Sequence, residues 1–224
     1  MLFDRDTVFC ANLGDSRACL FSYYKPTKKD EETKSLGKLG VTPLSNDHKP
    51  DLPKEKERIL SMGGRVDPIK GPQGQGLGPN RVWLRNQEYP GLAMSRSLGD
   101  LVAHSVGVSA DPEIIKYELK AEHKFIVIAS DGVTEFLSDE EIGKLVWPYY
   151  NKNSPESAGN AIVREAAARW RQNDTMIDDI TCITIFLELD PHEKKVPGQP
   201  QSARILSAHK STESMGNSKN KNVY

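Results

Sequence analysis

The chain has 224 residues, a formal net charge of −1, 37% hydrophobic residues and 27% charged residues, the balance of an ordinary soluble domain. Charges that nearly cancel exclude a polyanion binder acting through its overall field, so no nucleic-acid partner is expected and any phosphate recognition has to be local. No apolar run approaches the roughly 20 residues that cross a bilayer, and no basic stretch with an apolar core opens the sequence, which leads us to expect a cytoplasmic or nuclear monomer with no membrane partner.

The chain starts with "MLFDRDTVFCANLGDSR", which reaches strand-like sequence at once, like the middle of a domain. Residues 8–13 and 18–21 read as two strands around a Gly14-Asp15 turn, a hairpin that would set Cys10 opposite Cys19. With Cys182 these are the three cysteines, too few and too oddly spaced for a disulfide framework, and they read as reduced core thiols. Both faces of the two strands are apolar, and a strand with no wet face must be covered on both sides. "YYKPTKKDEETKSLGKLG" is charged and punctuated by Gly and Pro, a solvated insertion.

"DLPKEKERILSMGG" reads as a short helix with Asp51 as cap, Pro53 in the first turn, Ile59, Leu60 and Met62 as its apolar edge, and Gly63-Gly64 as the stop. His48 in "NDHKP" has no His or Cys at ligand spacing and reads as a turn histidine. The glycines of "GPQGQGLGPN" lack the Lys-Ser/Thr of a phosphate loop and suggest a flexible loop. Arg96 and Asp100 in "SRSLGD" are placed to pair internally.

"FIVIASDG", residues 125–132, is a doubly apolar strand that runs into Asp131. Ser138 to Glu141 has capping-box spacing for a helix that Pro148 should end or bend. A second helix begins with Ser154 as cap and Pro155 at the first position, and buries Ala158, Ala161, Ile162, Ala166 and Trp170. "ITCITIFL", residues 180–187, is another central strand, and residues 190–224 read as a disordered polar tail. Strands and helices come in blocks, which favours an α+β layered fold.

Three carboxylate positions stand at strand edges: Asp15, Asp131 and the pair Asp178-Asp179. A carboxylate there needs a cation, a metal or several donors, and oxygen donors without nearby Cys or His favour Mg²⁺ or Mn²⁺ over zinc. Each also fits a plainer role, because Asp beside Gly is common turn chemistry and an acidic pair before a strand suits a solvated loop.

"ANLGDSRA", "LSNDHKPDLPKEKERILSMGGRV", "GPNRVWL", "PGLAMSRSLGD", "ADPEI", "FIVIASDGVTEF" and "IDDITCITIFL" together resemble, in sequence order, the metal-dependent serine/threonine protein phosphatases of the PPM, or protein phosphatase 2C-like, family. The resemblance covers about residues 7–188 and implies a four-layer αββα sandwich, two Mg²⁺ or Mn²⁺ ions with a possible third, and phosphoprotein substrates. In such enzymes a metal-activated water attacks phosphorus in line. By position, Asp131 and Asp178 match metal-ligating aspartates, and Asp15 matches the G-D-S-R aspartate of a third, weaker metal. Glu135 falls where many members carry an aspartate, and Thr134 replaces a commonly bulky aromatic. Residues 51–91 resemble the flap beside the active site.

The family's D-G-H-G segment, its general-acid histidine and its phosphate-binding arginine have no counterpart in these residues, so no catalytic residue is identifiable in this chain. The expectation is a partial phosphatase domain over residues 1–189, incomplete at the N-terminus and of reduced activity alone. The alternative is a non-catalytic binding module of the same descent.

Overall fold

The computed structural model describes residues 1–26, 37–173, 177–189 and 203–213. In chain order the described elements are β1 (Leu2–Asp4), β2 (Thr7–Asn12), β3 (Arg17–Tyr24), β4 (Lys38–Pro43), α1 (Pro53–Ser61), β5 (Gly64–Lys70), β6 (Gly76–Leu84), β7 (Pro90–Leu92), α2 (Leu101–His104), β8 (Glu113–Glu118), β9 (His123–Ala129), α3 (Asp131–Thr134), α4 (Asp139–Tyr150), α5 (Pro155–Asn173), β10 (Ile180–Leu189) and β11 (Ala203–Glu213). They divide into two compact units. The first holds Met1–Cys10, Arg17–Ser45 and the described residues of Ile115–Tyr224; the second holds Ala11–Ser16 and Asn46–Ile114.

The first unit is built on an antiparallel sheet of order β11-β10-β9-β3-β4. Alternation along each central strand sends side chains to two different cores, which is why these strands are apolar on both faces. Cys19, Phe21, Phe125, Val127, Ala129, Cys182 and Phe186 meet α3, α4 and α5 on one side. Ala18, Leu20, Ile126, Ile185 and Leu187 meet Val8, Cys10 and Leu119 on the other. Phe21, Phe125 and Phe186 lie in register across three strands, with the first two rings stacked at 4.7 Å. Each is fully buried, worth about 1.5–3 kcal/mol per side chain against exposure.

The expected hairpin around Gly14 is corrected. β2 belongs to a three-stranded sheet of order β1-β2-β8, and β3 to the five-stranded one. Val8 and Cys10 touch Ala18 and Leu20 across a sandwich interior, because apolar faces of this kind are buried by stacking sheets and not by lengthening one ladder. Cys10 and Cys19 therefore sit in separate cores, and all three cysteines are buried thiols outside any disulfide. The α+β class stands, with a helical layer, the five-stranded sheet and the three-stranded sheet in this unit.

Ser138 caps α4 with a complete capping box. Pro148 lies inside this helix, which runs on to Tyr150; the missing N–H falls near the end, where the Tyr150 hydroxyl donates to the Leu187 carbonyl at 2.7 Å and anchors the last turn. α5 starts at Pro155 as expected, and Ala158, Ile162 and Ala166 are buried, with Gly159, Val163 and Ala167 also in the buried face. β11 lies inside the segment expected to be a disordered tail and pairs with β10 from Ile180↔Glu213 to Leu189↔Ala203. Backbone pairing needs no apolar composition: it satisfies the outer N–H and C=O groups of β10, which would otherwise form an open edge. The rest of that segment, and residues 27–36 of the expected insertion, lie outside the described residues.

The second unit packs α1 and α2 with an antiparallel sheet, β5-β6-β7, around Ile59, Val66, Val82, Ala103, Val106 and Val108. Leu52, not Asp51, is the residue before α1. Ile59 is fully buried while Leu60 and Met62 are exposed, so the expected apolar edge narrows to one residue. The glycine-rich stretch is a tight hairpin, with Lys70 opposite Gly76. Trp83 is buried and donates from Nε1 to the Asp67 carbonyl at 2.8 Å.

Candidate functional site

Asp131 is delivered by β9 as the first residue of α3, and Asp178 stands two residues before β10. The antiparallel pairing of β9 with β10 sets Ala129 opposite Cys182, so both carboxylate positions come to one edge of the five-stranded sheet. Ser130 ties this edge. Its N–H donates to the Thr181 carbonyl at 2.9 Å, and its hydroxyl donates to the Asp179 carbonyl at 3.1 Å while accepting from the Thr181 N–H at 3.1 Å. Gly132 completes the tie, since a side chain there would meet the Asp179 carbonyl, and the Trp170 indole of α5 donates to the Gly132 carbonyl at 2.7 Å. The close approach that Gly132 permits is to the chain's own backbone.

Asp131 is half-buried, and Asp178 and Asp179 are exposed. Asp178 accepts from the Asp179 N–H at 2.6 Å. Glu135 is exposed.

Asp15 belongs to the second unit. It is buried, and the Lys49 ammonium lies 2.5 Å from its Oδ2. The loop carrying it is clamped at Gly14: the His48 N–H donates to the Gly14 carbonyl at 2.9 Å, and the Gly14 N–H donates to His48 Nδ1 at 3.2 Å. His48 is thus the structural residue expected from sequence, with its Nε2 3.6 Å from Glu113 Oε2. Burial, with Arg96 nearby, lowers the pKa of this imidazole, against a smaller upward pull from Glu55, Glu113 and its bond to Gly14.

The same unit holds a charge cluster that sequence reading missed. Glu55 is 4% exposed and accepts from Arg58 at 3.0 and 2.7 Å, from Arg96 at 3.1 and 2.7 Å and from the Ser95 hydroxyl at 2.7 Å. Burial pushes its pKa up, but these five bonds outweigh it and hold the carboxyl well below the usual range. Arg96 therefore pairs with Glu55 and not with Asp100, which is exposed with φ +39°. The available signal was Glu55 and Arg58 three residues apart on one helix.

Asp131 and Asp178 are oxygen donors of the kind Mg²⁺ takes, an ion that keeps several waters and is commonly held by one or two carboxylates. Among the described residues no group of three or more His, Cys, Asp or Glu gathers to hold a metal. Two carboxylates would supply only part of such an ion's shell.

The protein phosphatase 2C family profile matches residues 1–175. The chain belongs to the protein phosphatase 2C family. An Arabidopsis thaliana relative named "Probable protein phosphatase 2C 72" is 39% identical over 184 residues, covering 82% of this chain and 51% of that protein. "Probable protein phosphatase 2C 12" of Oryza sativa subsp. japonica is 38% identical over 185 residues, covering 82% and 43%. This phosphatase 2C chain spans about half the length of the curated relatives it matches. Among solved structures, a serine-threonine phosphatase 2C from Toxoplasma gondii superposes with a TM-score of 0.66 at 22% identity, over 82% of this chain and 55% of that one. A C. elegans sex determining protein gives 0.60 at 19%, over 82% and 37%. These two share the fold, as the resemblance read from sequence implied. Among the described residues no helix is long and apolar enough to cross a membrane.

Proposed function

We propose that this chain contributes the Asp131–Asp178 sheet edge to a metal-dependent protein serine/threonine phosphatase centre acting on phosphoproteins. The observation that supports it is the Ser130 and Gly132 tie to Asp179 and Thr181, which holds two carboxylates from distant sequence at one edge. Mg²⁺ or Mn²⁺ bound there would neutralise charge on a phosphoryl group under in-line attack. The chain's own part is to orient the carboxylates, through Ser130 and Trp170, and to keep them on a rigid strand end. Asp15 is the candidate for a further, weaker site. Two carboxylates leave most of a metal shell to be supplied from outside the described residues, so turnover by the 224-residue chain alone is expected to be low.

The test is a chimera joining this chain to the portion of the Arabidopsis relative that it does not cover. Release of phosphate from a phosphothreonine peptide that depends on Mn²⁺ supports the proposal. A folded chimera with no turnover at any Mn²⁺ concentration favours the non-catalytic binding module.

A further inference from the structure

We propose that residues 214–224 lie back across the sheet edge that carries Asp131, Asp178 and Asp179, as a built-in occupant that an incoming phosphoprotein has to displace. This is a regulation of the site proposed above, and it rests on that reading only for its effect on turnover.

The observation that carries it is the register of β11. The strand runs antiparallel to β10 and its last pair is Ile180↔Glu213, so the chain leaves the ladder beside Asp178 and Asp179 and not at the far end, where Leu189 faces Ala203. More than backbone pairing holds β11 there. Ser211 is buried opposite Cys182, and its hydroxyl donates to Asn160 Oδ1 of α5 at 3.1 Å. Gly159 leaves room for that hydroxyl, which a side chain in its place would strike. The point of exit lies two residues past this anchor, at the strand end that carries the carboxylates.

Reach and charge select the occupant. Neighbouring strands lie about 4.8 Å apart, so two spacings, about 10 Å, separate β11 from the end of β9 that delivers Asp131. Residues 214–224, fully extended, span up to about 36 Å, so Lys219 and Lys221 come within range of the whole edge. This segment carries those two lysines and no Asp or Glu, whereas the edge presents Asp178, Asp179 and Glu135 exposed and Asp131 half-buried. Attraction between such charges is screened over about 8 Å at physiological salt. It therefore acts where the tether has already brought the two together, at an effective concentration on the order of millimolar.

The experiment places a nitroxide on Asn220→Cys in the whole ¹⁵N-labelled chain without metal, the three native thiols being buried, and reads the broadening of the Gly132 and Asp179 amide signals. It compares this chain with one that also carries Lys219→Gln and Lys221→Gln, each first shown to fold by thermal melting. Both amides are expected to broaden in the first chain. The broadening is expected to fall by at least about threefold in the second, where the tether is unchanged and only the charge is gone. Equal broadening in the two overturns the proposal, because the tether alone then accounts for it, and so does the absence of broadening. Broadening that weakens on dilution assigns the segment to a second copy and overturns it as well. A chain ending at Glu213 gives the functional counterpart. In the chimera with the Arabidopsis portion, its KM for a phosphothreonine peptide is expected to be at least about threefold lower than with residues 214–224 present, and an unchanged KM overturns the proposal. A chimera with no turnover in either form counts against the proposed phosphatase centre, and the nitroxide comparison then decides the placement of the segment by itself.

Discussion

Gly132 stands so close to Asp179 that a methyl group in its place would lie 2.5 Å from the Asp179 carbonyl oxygen. The turn Ser130-Asp131-Gly132 between β9 and α3 is thereby locked to the residues that lead into β10, and the carboxylate between the two locking residues inherits its position from them. Backbone contact of this kind demands the absence of a side chain, whatever the ligand chemistry.

Gly132→Ala is therefore expected to force α3 away from β10. Overpacking against backbone costs about 1–3 kcal/mol, which appears as a lower urea midpoint with an unchanged slope. A midpoint equal to that of wild type would show that the two segments are not held together as described.

Glu55→Gln removes the carboxylate from beneath Arg58 and Arg96 and leaves two guanidinium groups sharing a neutral amide. Both arginines keep some solvent contact, 29% and 22% of their side chains, so the expected loss is about 2–3 kcal/mol, at or below the low end for breaking a buried pair. The acid dependence has a definite sign. Folding depresses this pKa, so the stabilisation is complete above the unfolded value of about 4.3 and is lost as pH falls toward the folded one. Melting curves between pH 5 and pH 3 should be shallower against pH in Glu55→Gln than in wild type.

Two buried histidines act on a different pH window. Burial lowers the pKa of both His48 and His123, aided by Arg96 in one case and by Lys120 and Lys124 in the other, with Glu122 opposing at His123. The unfolded chain takes up these protons near pH 6.5 while the folded chain resists, so stability is complete above about 6.5 and declines as pH falls below it. His123 Nδ1 accepts from the Lys120 N–H at 2.7 Å, a bond that protonation removes. The melting temperature should fall from pH 7.5 to pH 5, with a smaller fall in His123→Gln; a rise over that range would contradict the assignment.

The parts of this fold legible in the sequence were those with local or periodic causes. The capping box at Ser138, Pro155 at the start of α5 and the two-sided apolar strands at 125–129 and 180–187 each carry their reason within a few residues. The pairing of β2 and β3 did not, because a Gly-Asp turn looks the same whether the chain folds back in one sheet or crosses to another. β11 escaped because ladder pairing leaves little trace in a polar sequence. At the candidate site the carboxylates were visible as strand-end acids, and the family segments supplied the expectation of a metal role for them. Lys49 and Glu55 drew no assignment, since nothing in "KPDLPKEKER" shows which of its charges meets a partner more than 30 residues away, as Lys49 does Asp15 and Glu55 does Arg96.

The most direct test of the proposed phosphatase centre substitutes its two carboxylates one at a time. In the chimera with the Arabidopsis portion, Asp131→Asn and Asp178→Asn are each expected to cut Mn²⁺-dependent phosphate release from a phosphothreonine peptide by at least about 100-fold, with melting temperatures near that of the parent. Turnover within threefold of the parent in either variant would contradict the assignment of that sheet edge to the metal.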